Sequence, residues 1–204
     1  MSQVRVRTHT NPFNFHKKMD PLDFSERFEN FSGKLDLEIG FGKGGFLQHW
    51  ASLNPQRHII GAEIRQAIVD QVKKSVEKKN LKNIHLLHNS AERILEDIIP
   101  DHSLEHVFVF HPDPWLKKSH HKRRFIRENI IDLLLKKMRT CAKLYISTDV
   151  ASLWNDIKET LDLSPLKGIE DPTFWQEVYT SHWDAFSIKD KRTRFYSTWQ
   201  KVSN

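Results

Sequence analysis

The amino-acid sequence predicts a doubly wound α/β fold: a mostly parallel sheet with helices on both faces and an antiparallel edge near the C-terminus. Short apolar runs alternate with helical patterns five times between residues 35 and 147, the signature of a parallel sheet covered on both sides. A glycine cluster closes the first apolar run and opens a helical segment, as at strand-to-helix turns where a ligand approaches the backbone. Beyond about residue 163 the helical period weakens and aromatic residues gather in two stretches, which suits antiparallel strands at a sheet edge.

Residues 35–39 read as the first strand and 45–53 as the helix that the glycine turn opens. The second strand is expected over 58–64, followed by a helix over 66–79 with Ile68, Val69, Val72 and Val76 at a 3.6-residue period. Residues 84–87 form a third strand, and 91–99 a helix stopped by Pro100. A fourth strand spans 107–110. A helix over 124–138 carries Ile126, Ile130, Leu133 and Leu134 on one face, and a fifth strand spans 143–147. The aromatic stretches 177–182 and 194–201 are expected to pair as the antiparallel edge. In such sheets ligands lie beyond the carboxyl ends of the strands, so the residues after each strand are the ones to inspect.

Composition narrows the function classes. The 204 residues suffice for one domain and are short for two. No apolar run approaches the roughly 18 residues that cross a bilayer, and residues 1–18 lack the apolar core of a secretory signal. A soluble, intracellular protein with no membrane association is expected. The lone Cys141 excludes internal disulfides and multi-cysteine zinc sites. The twelve histidines form no metal-ligand constellation, so no metal is expected. The net charge of +6 is uneven: windows 1–18, 117–124 and 189–194 carry +4, +5 and +3, leaving −6 elsewhere. Concentrated basic patches on an acidic body suggest a polyanion partner.

The first strand ends in Glu38-Ile-Gly40-Phe-Gly42-Lys-Gly44-Gly45, which formally satisfies G-x-G-x-x-G. The discriminating residue is Glu38, because a carboxylate two residues before the first glycine would repel a pyrophosphate and attract the sulfonium and ammonium of S-adenosylmethionine. Glu63 ends the second strand, where a carboxylate can accept two hydrogen bonds from ribose hydroxyls of either an adenosyl or a nicotinamide cofactor. After the third strand, Asn89 or Ser90 could address an adenine edge; the same residue types also cap helices. In Pro112-Asp113-Pro114-Trp115 two prolines fix the path on both sides of Asp113 and hold its carboxylate beside a flat ring. Guanine N7 has a free lone pair at neutral pH, so methylation there needs no general base. An acid can instead orient N1–H and the 2-amino group and stabilise positive charge that develops on the ring.

The string from Pro112 to Arg124, P-D-P-W-L-K-K-S-H-H-K-R-R, together with E-I-G-F-G-K-G at residues 38–44, resembles the bacterial tRNA (guanine-N7)-methyltransferases. The likeness runs on through Ser147-Thr-Asp149 to Thr193-Arg-Phe195. It implies a class I, Rossmann-like methyltransferase sheet, S-adenosyl-L-methionine as cofactor, and methylation of a guanosine in the tRNA variable loop. The implied parts are a basic arm over 1–30, a cofactor-binding core over 31–163 and a C-terminal substrate-binding part over 164–204. Carried over, Asp113 is catalytic and also touches the cofactor with Glu38, Gly40, Gly42, Gly44, Glu63, Asn89 and Ser90. Lys117, Asp149, Thr193, Arg194, Phe195 and Tyr196 then contact substrate, and Arg5, Arg7, Lys118, Lys122, Arg123 and Arg124 the RNA backbone. The sequence departs from the family pattern at Ser90, where an acid or Asn is usual, at Tyr196, where the T-x-F-E motif ends in Glu, and at His111, which replaces an aromatic residue and is expected to pack.

Guanine N7 faces the deep, narrow major groove of A-form RNA, which side chains cannot read. The target must therefore lie in a loop or leave its stack. His16, His120 and His121 can add charge to the basic patches at mildly acid pH. Three other readings stay open at this point: a nucleic-acid amino-methyltransferase, a non-catalytic RNA-binding module on the same fold, and a nicotinamide oxidoreductase. The chain is expected to act as a monomer or homodimer in the cytoplasm.

Overall fold

The computed structural model describes residues 10–15, 17–28, 31 and 33–202. Arg5, Arg7 and His16 therefore lie outside the described residues. A seven-stranded sheet runs through the chain: β1 Leu35–Ile39, β2 His58–Glu63, β3 Ile84–His88, β4 Leu104–Phe110, β5 Met138–Thr148, β6 Leu166–Ile169 and β7 Phe195–Lys201. Its order is β3-β2-β1-β4-β5-β7-β6. The first five strands pair parallel, and β7 pairs antiparallel with both β5 and β6. The order reverses between β1 and β4, which opens a crevice at their carboxyl ends.

The helices are α1 Phe24–Arg27, α2 Gly45–Leu53, α3 Gln66–Lys78, α4 Ala91–Asp97, α5 Glu128–Lys137, α6 Ala151–Asp162 and α7 His182–Lys189. Alternation along β4 shows how they divide. Val107 and Val109 join a core with residues of α4, α5 and α6, while Phe108 and Phe110 join a second core with residues of α2 and α3. Side chains of successive strand residues point to opposite faces, so one strand serves both cores.

One expectation at the C-terminal edge needs correction. The strand beside β7 is residues 166–169, not 177–182. Phe174–Val178 form a π-helical turn, and α7 begins at His182. In the stretch 177–182 the aromatic residue packs inward and does not pair as a strand: Tyr179 lies against Phe110 and Trp175, with ring centroids 4.8 and 5.0 Å away. Helix α5 also starts later than expected, at Glu128: residues 118–123 wind as a 3₁₀ helix, and Arg124 and Arg127 after it have ψ of 142° and 160°, outside the helical range. Strand β5 begins earlier than expected, at Met138, and α1, α6 and α7 lie where no helix is expected.

Candidate active site

The glycine turn after β1 is the floor of the site. Gly40, Gly42 and Gly44 have φ of 71°, 52° and 67°, a region that residues with a Cβ rarely enter. At Gly44 a Cβ would also stand 2.6 Å from Val72 Cγ1, so this glycine lets α2 and α3 pack. The Gly40 N–H donates to Ala62 O at 2.7 Å and ties the turn to β2.

Beside this floor lies a cleft with two adjoining halves of about 300 and 260 Å³. Glu63, Asn89, Ser90, Asp113 and Trp115 line the first; Glu38, Lys43, Phe46 and Phe186 line the second. Gly40, Gly42, Arg65, Phe110 and Trp183 line both. The structure thus gathers Glu38, Gly40, Gly42, Glu63, Asn89, Ser90 and Asp113 from the ends of four strands around one space. Gly44 stands behind it.

Glu38 and Glu63 face the cleft from neighbouring strands in different states. Glu38 is buried on β1, and its Oε2 has no hydrogen-bond partner. Burial, reinforced by the nearby charge of Glu63, holds its carboxyl well above the ordinary value of 4.5. Glu63 is also buried but saturated, accepting from Gly42 N–H, Arg65 N–H and the Arg65 guanidinium. An unpartnered acid on the wall of a cleft is a site for a cation that brings its own hydrogen bonds. Ser90 spends its hydroxyl as the α4 cap, accepting from Arg93 N–H at 3.3 Å. Its own N–H donates to Asn89 Oδ1 at 2.8 Å.

The Asp113 loop is held under strain. His111 and Trp115, which bracket Pro-Asp-Pro, have φ of 48° and 42°, left-handed values that cost non-glycine residues about 1–3 kcal/mol each. Several contacts hold that shape. The His111 N–H donates to Ser147 O at 2.8 Å, and the Arg123 guanidinium lies 5.0 Å from the centre of the Trp115 ring. Arg124 Nε donates to Pro114 O at 2.8 Å.

That last contact corrects an expectation. Arg124 is only 4% exposed and also pairs with Asp156, so its charge is turned inward and braces the loop instead of meeting RNA. Lys117, Lys118 and Lys122 are exposed, as expected for the basic rim, and Arg123 lines the cleft. Asp149 also departs from its expected place. Its side chain is 2% exposed, accepts from Ser187 Oγ at 2.8 Å and Arg192 Nη1 at 3.2 Å, and faces His111 Nδ1 at 3.5 Å. It ties α7 to the end of β5. His111 packs as expected, with Tyr179 Oη 3.3 Å from its Nε2. Of the C-terminal set, Thr193 is exposed, Arg194 pairs with Asp184 at 3.0 Å and Phe195 stacks on Trp154. Tyr196 lies half-exposed against Trp175. Lys117, Asp149 and residues 193–196 stand outside the walls of the cleft.

Arg65, Arg127 and Trp183 are among the wall residues that the sequence does not point to. Arg65, two positions past Glu63, carried a weak signal in its spacing. Arg127, the extended residue before α5 that pairs with Glu92 at 2.6 Å, and Trp183, packed with His182 and Phe186, carried none.

Residues 32–196 match a family profile described as "Putative methyltransferase". The chain belongs to this methyltransferase family. Among similar proteins, the tRNA (guanine-N(7)-)-methyltransferase of Francisella philomiragia is 37% identical over 141 residues, covering 69% of this chain and 61% of that protein. The protein of the same name from Legionella pneumophila is 35% identical over 139 residues, covering 68% of this chain and 60% of its own length. The match thus spans about three-fifths of these relatives. A SAM-dependent methyltransferase structure from Aquifex aeolicus superposes with a TM-score of 0.58 at 16% identity over 87% of each chain. The 16S rRNA methyltransferase KamB superposes with 0.59 at 14% identity over 87% of this chain and 90% of its own. These structures share the fold of the family member described here. Among its described residues no helix is long and apolar enough to cross a membrane, and no group of three His, Cys, Asp or Glu could hold a metal.

Proposed function

We propose that the chain transfers a methyl group from S-adenosylmethionine to N7 of a guanosine in the variable loop of tRNA. The observation that carries the reading is the buried, unpartnered Glu38 carboxylate on the wall of the cleft beside the glycine turn. It suits a cationic cofactor and opposes a pyrophosphate, which disfavours a nicotinamide dinucleotide. The names of the similar Francisella and Legionella proteins supply the acceptor.

When bound, S-adenosylmethionine supplies an electrophilic methyl group on a sulfonium. Glu38 answers its positive charge, Glu63 takes the ribose hydroxyls and Asn89 the adenine edge, over a floor made by Gly40 and Gly42. Asp113, held rigid by its prolines, accepts from N1–H and the 2-amino group of guanine and stabilises the charge that grows on the ring. No side chain has to remove a proton, because N7 attacks through a free lone pair. An extruded guanine needs a flat apolar face, and Trp115 and Trp183 stand on the cleft beside Asp113. Lys117, Lys118, Lys122 and Arg123 contact phosphates around the mouth, with Arg5 and Arg7 of the N-terminal arm as further candidates. In this reading residues 31–163 hold the cofactor and 164–204 form the substrate side of one domain. The protein works in the cytoplasm as a monomer or homodimer.

The test is incubation of the protein with labelled S-adenosylmethionine and unmodified tRNA, followed by location of the label. Label on guanine N7 in the variable loop is expected; label on an exocyclic amine, or none, refutes the proposal.

A further inference from the structure

The Glu63 carboxylate has four hydrogen-bond donors. Two are backbone groups, Gly42 N–H at 3.2 Å and Arg65 N–H at 3.1 Å; two belong to the Arg65 side chain, Nε and Nη2, each at 3.0 Å. A carboxylate offers about four lone-pair sites, so this one is full. A ribose cannot bond to it unless a donor leaves.

The four donors differ in their freedom to leave. Gly42 N–H is fixed by the glycine turn, and Arg65 N–H by the start of α3, where Arg65 is the N-cap residue. The guanidinium is free to move: the Arg65 side chain is 41% exposed and can swing into water with little loss of solvation. Its Nε and Nη2 form a fork of two parallel donors, which is also what a vicinal diol presents. The exchange is two hydrogen bonds for two at the same oxygens, with both backbone bonds kept. Arg65 lines both halves of the cleft, so its departure also widens the passage between them.

We propose that Arg65 is a resident competitor for the ribose site on Glu63, so that an adenosyl cofactor binds by displacing its guanidinium and the arginine sets the cofactor's affinity. The inference rests on the cofactor reading given under the proposed function. The test is calorimetric titration of the full chain and two variants with S-adenosylhomocysteine, which shares the ribose and needs no turnover. Arg65→Ala should bind about two- to fivefold more tightly than the wild type, the scale of losing a half-exposed ion pair. Arg65→Lys keeps the charge but cannot fork and should fall between the two. In the wild type, the Arg65 Nε–H resonance should move toward its solvent-exposed position as ligand saturates the site.

Equal or weaker binding by Arg65→Ala overturns the proposal. So does Arg65→Lys behaving as wild type, since charge alone would then explain the effect. If none of the three proteins binds at millimolar ligand, the cofactor reading itself fails and this proposal falls with it.

Discussion

Arg124 sits at the end of a basic run and yet is built into the protein. Substituting Arg124→Met keeps most of the apolar stem and removes only the guanidinium. The lost hydrogen bond to Pro114 O, a charge-assisted one, is worth about 1.5–3 kcal/mol. The buried carbonyl left without a donor adds about 1 kcal/mol or more. The pair with Asp156 contributes little, because that carboxylate is 47% exposed and water replaces the arginine at a cost of well under about 1 kcal/mol. The sum is about 3 kcal/mol. With a urea m-value of about 2 kcal/mol/M, the denaturation midpoint should fall by about 1.5 M. The Asp113 loop loses a brace at the same time, so methyl transfer should drop even at temperatures where the variant is fully folded. The salt dependence of tRNA binding should keep its slope, since no phosphate contact is removed. A normal midpoint together with a shallower salt slope would mean that Arg124 reaches RNA and that its inward contacts are incidental.

Lys122→Ala should show the opposite pattern, leaving the midpoint unchanged and reducing the salt slope by about one, as measured by filter binding at several ionic strengths. Asp113→Ala should abolish methyl transfer while tRNA binding survives; lost binding with normal turnover would show its role to be wrongly assigned. Gly44→Ala combines a left-handed φ with a Cβ 2.6 Å from Val72 Cγ1 and should cost about 2–4 kcal/mol, read by chemical denaturation. Glu38 has a folded-state carboxyl raised above its unfolded value, so its contribution to stability is full below the unfolded value and is lost as pH rises through the folded one. Glu38→Gln escapes that loss and should be more stable than the wild type at about pH 8 but not at about pH 4; equal pH profiles for the two would refute the assignment.

The parallel half of the sheet was legible because each of its strands is a short apolar run ended by turn chemistry. Leu35–Ile39 and His58–Glu63 are buried along their whole length and leave a continuous signal. The C-terminal edge was not legible in the same way. Strand β6 has four residues, including Lys167 and Gly168, and exists because β7 offers it an edge. The stretch 177–182, more strand-like in sequence, instead closes a π-helical turn at Val178 and packs Tyr179 against Phe110. Helix α6, with buried Leu153, Ile157 and Leu161, carried a readable period that the sequence reading passed over.

The site divides along similar lines. Glu38, Glu63 and Asp113 were legible from their places after strands, since topology alone brings such positions together. The partners of a charge were not. Composition counts Arg124, Arg192 and Arg194 as part of a basic surface, but each is committed to an acid of its own chain. Which cations remain for RNA depends on contacts across 10 to 43 residues of sequence.

Strand β7 lies between β5 and β6, though it follows both in the chain. A ribosome therefore releases β6 before the strand that β6 must join, and β5 waits with an open edge. The glycine turn, the two glutamates and the Asp113 loop are already synthesised by then. A nascent chain can thus assemble its parallel strands early while β6 and the edge of β5 stay unpaired. Translation arrested just before residue 195 would leave both edges exposed at once, and unpaired strand edges recruit one another between chains. For this topology, incomplete synthesis is an aggregation hazard.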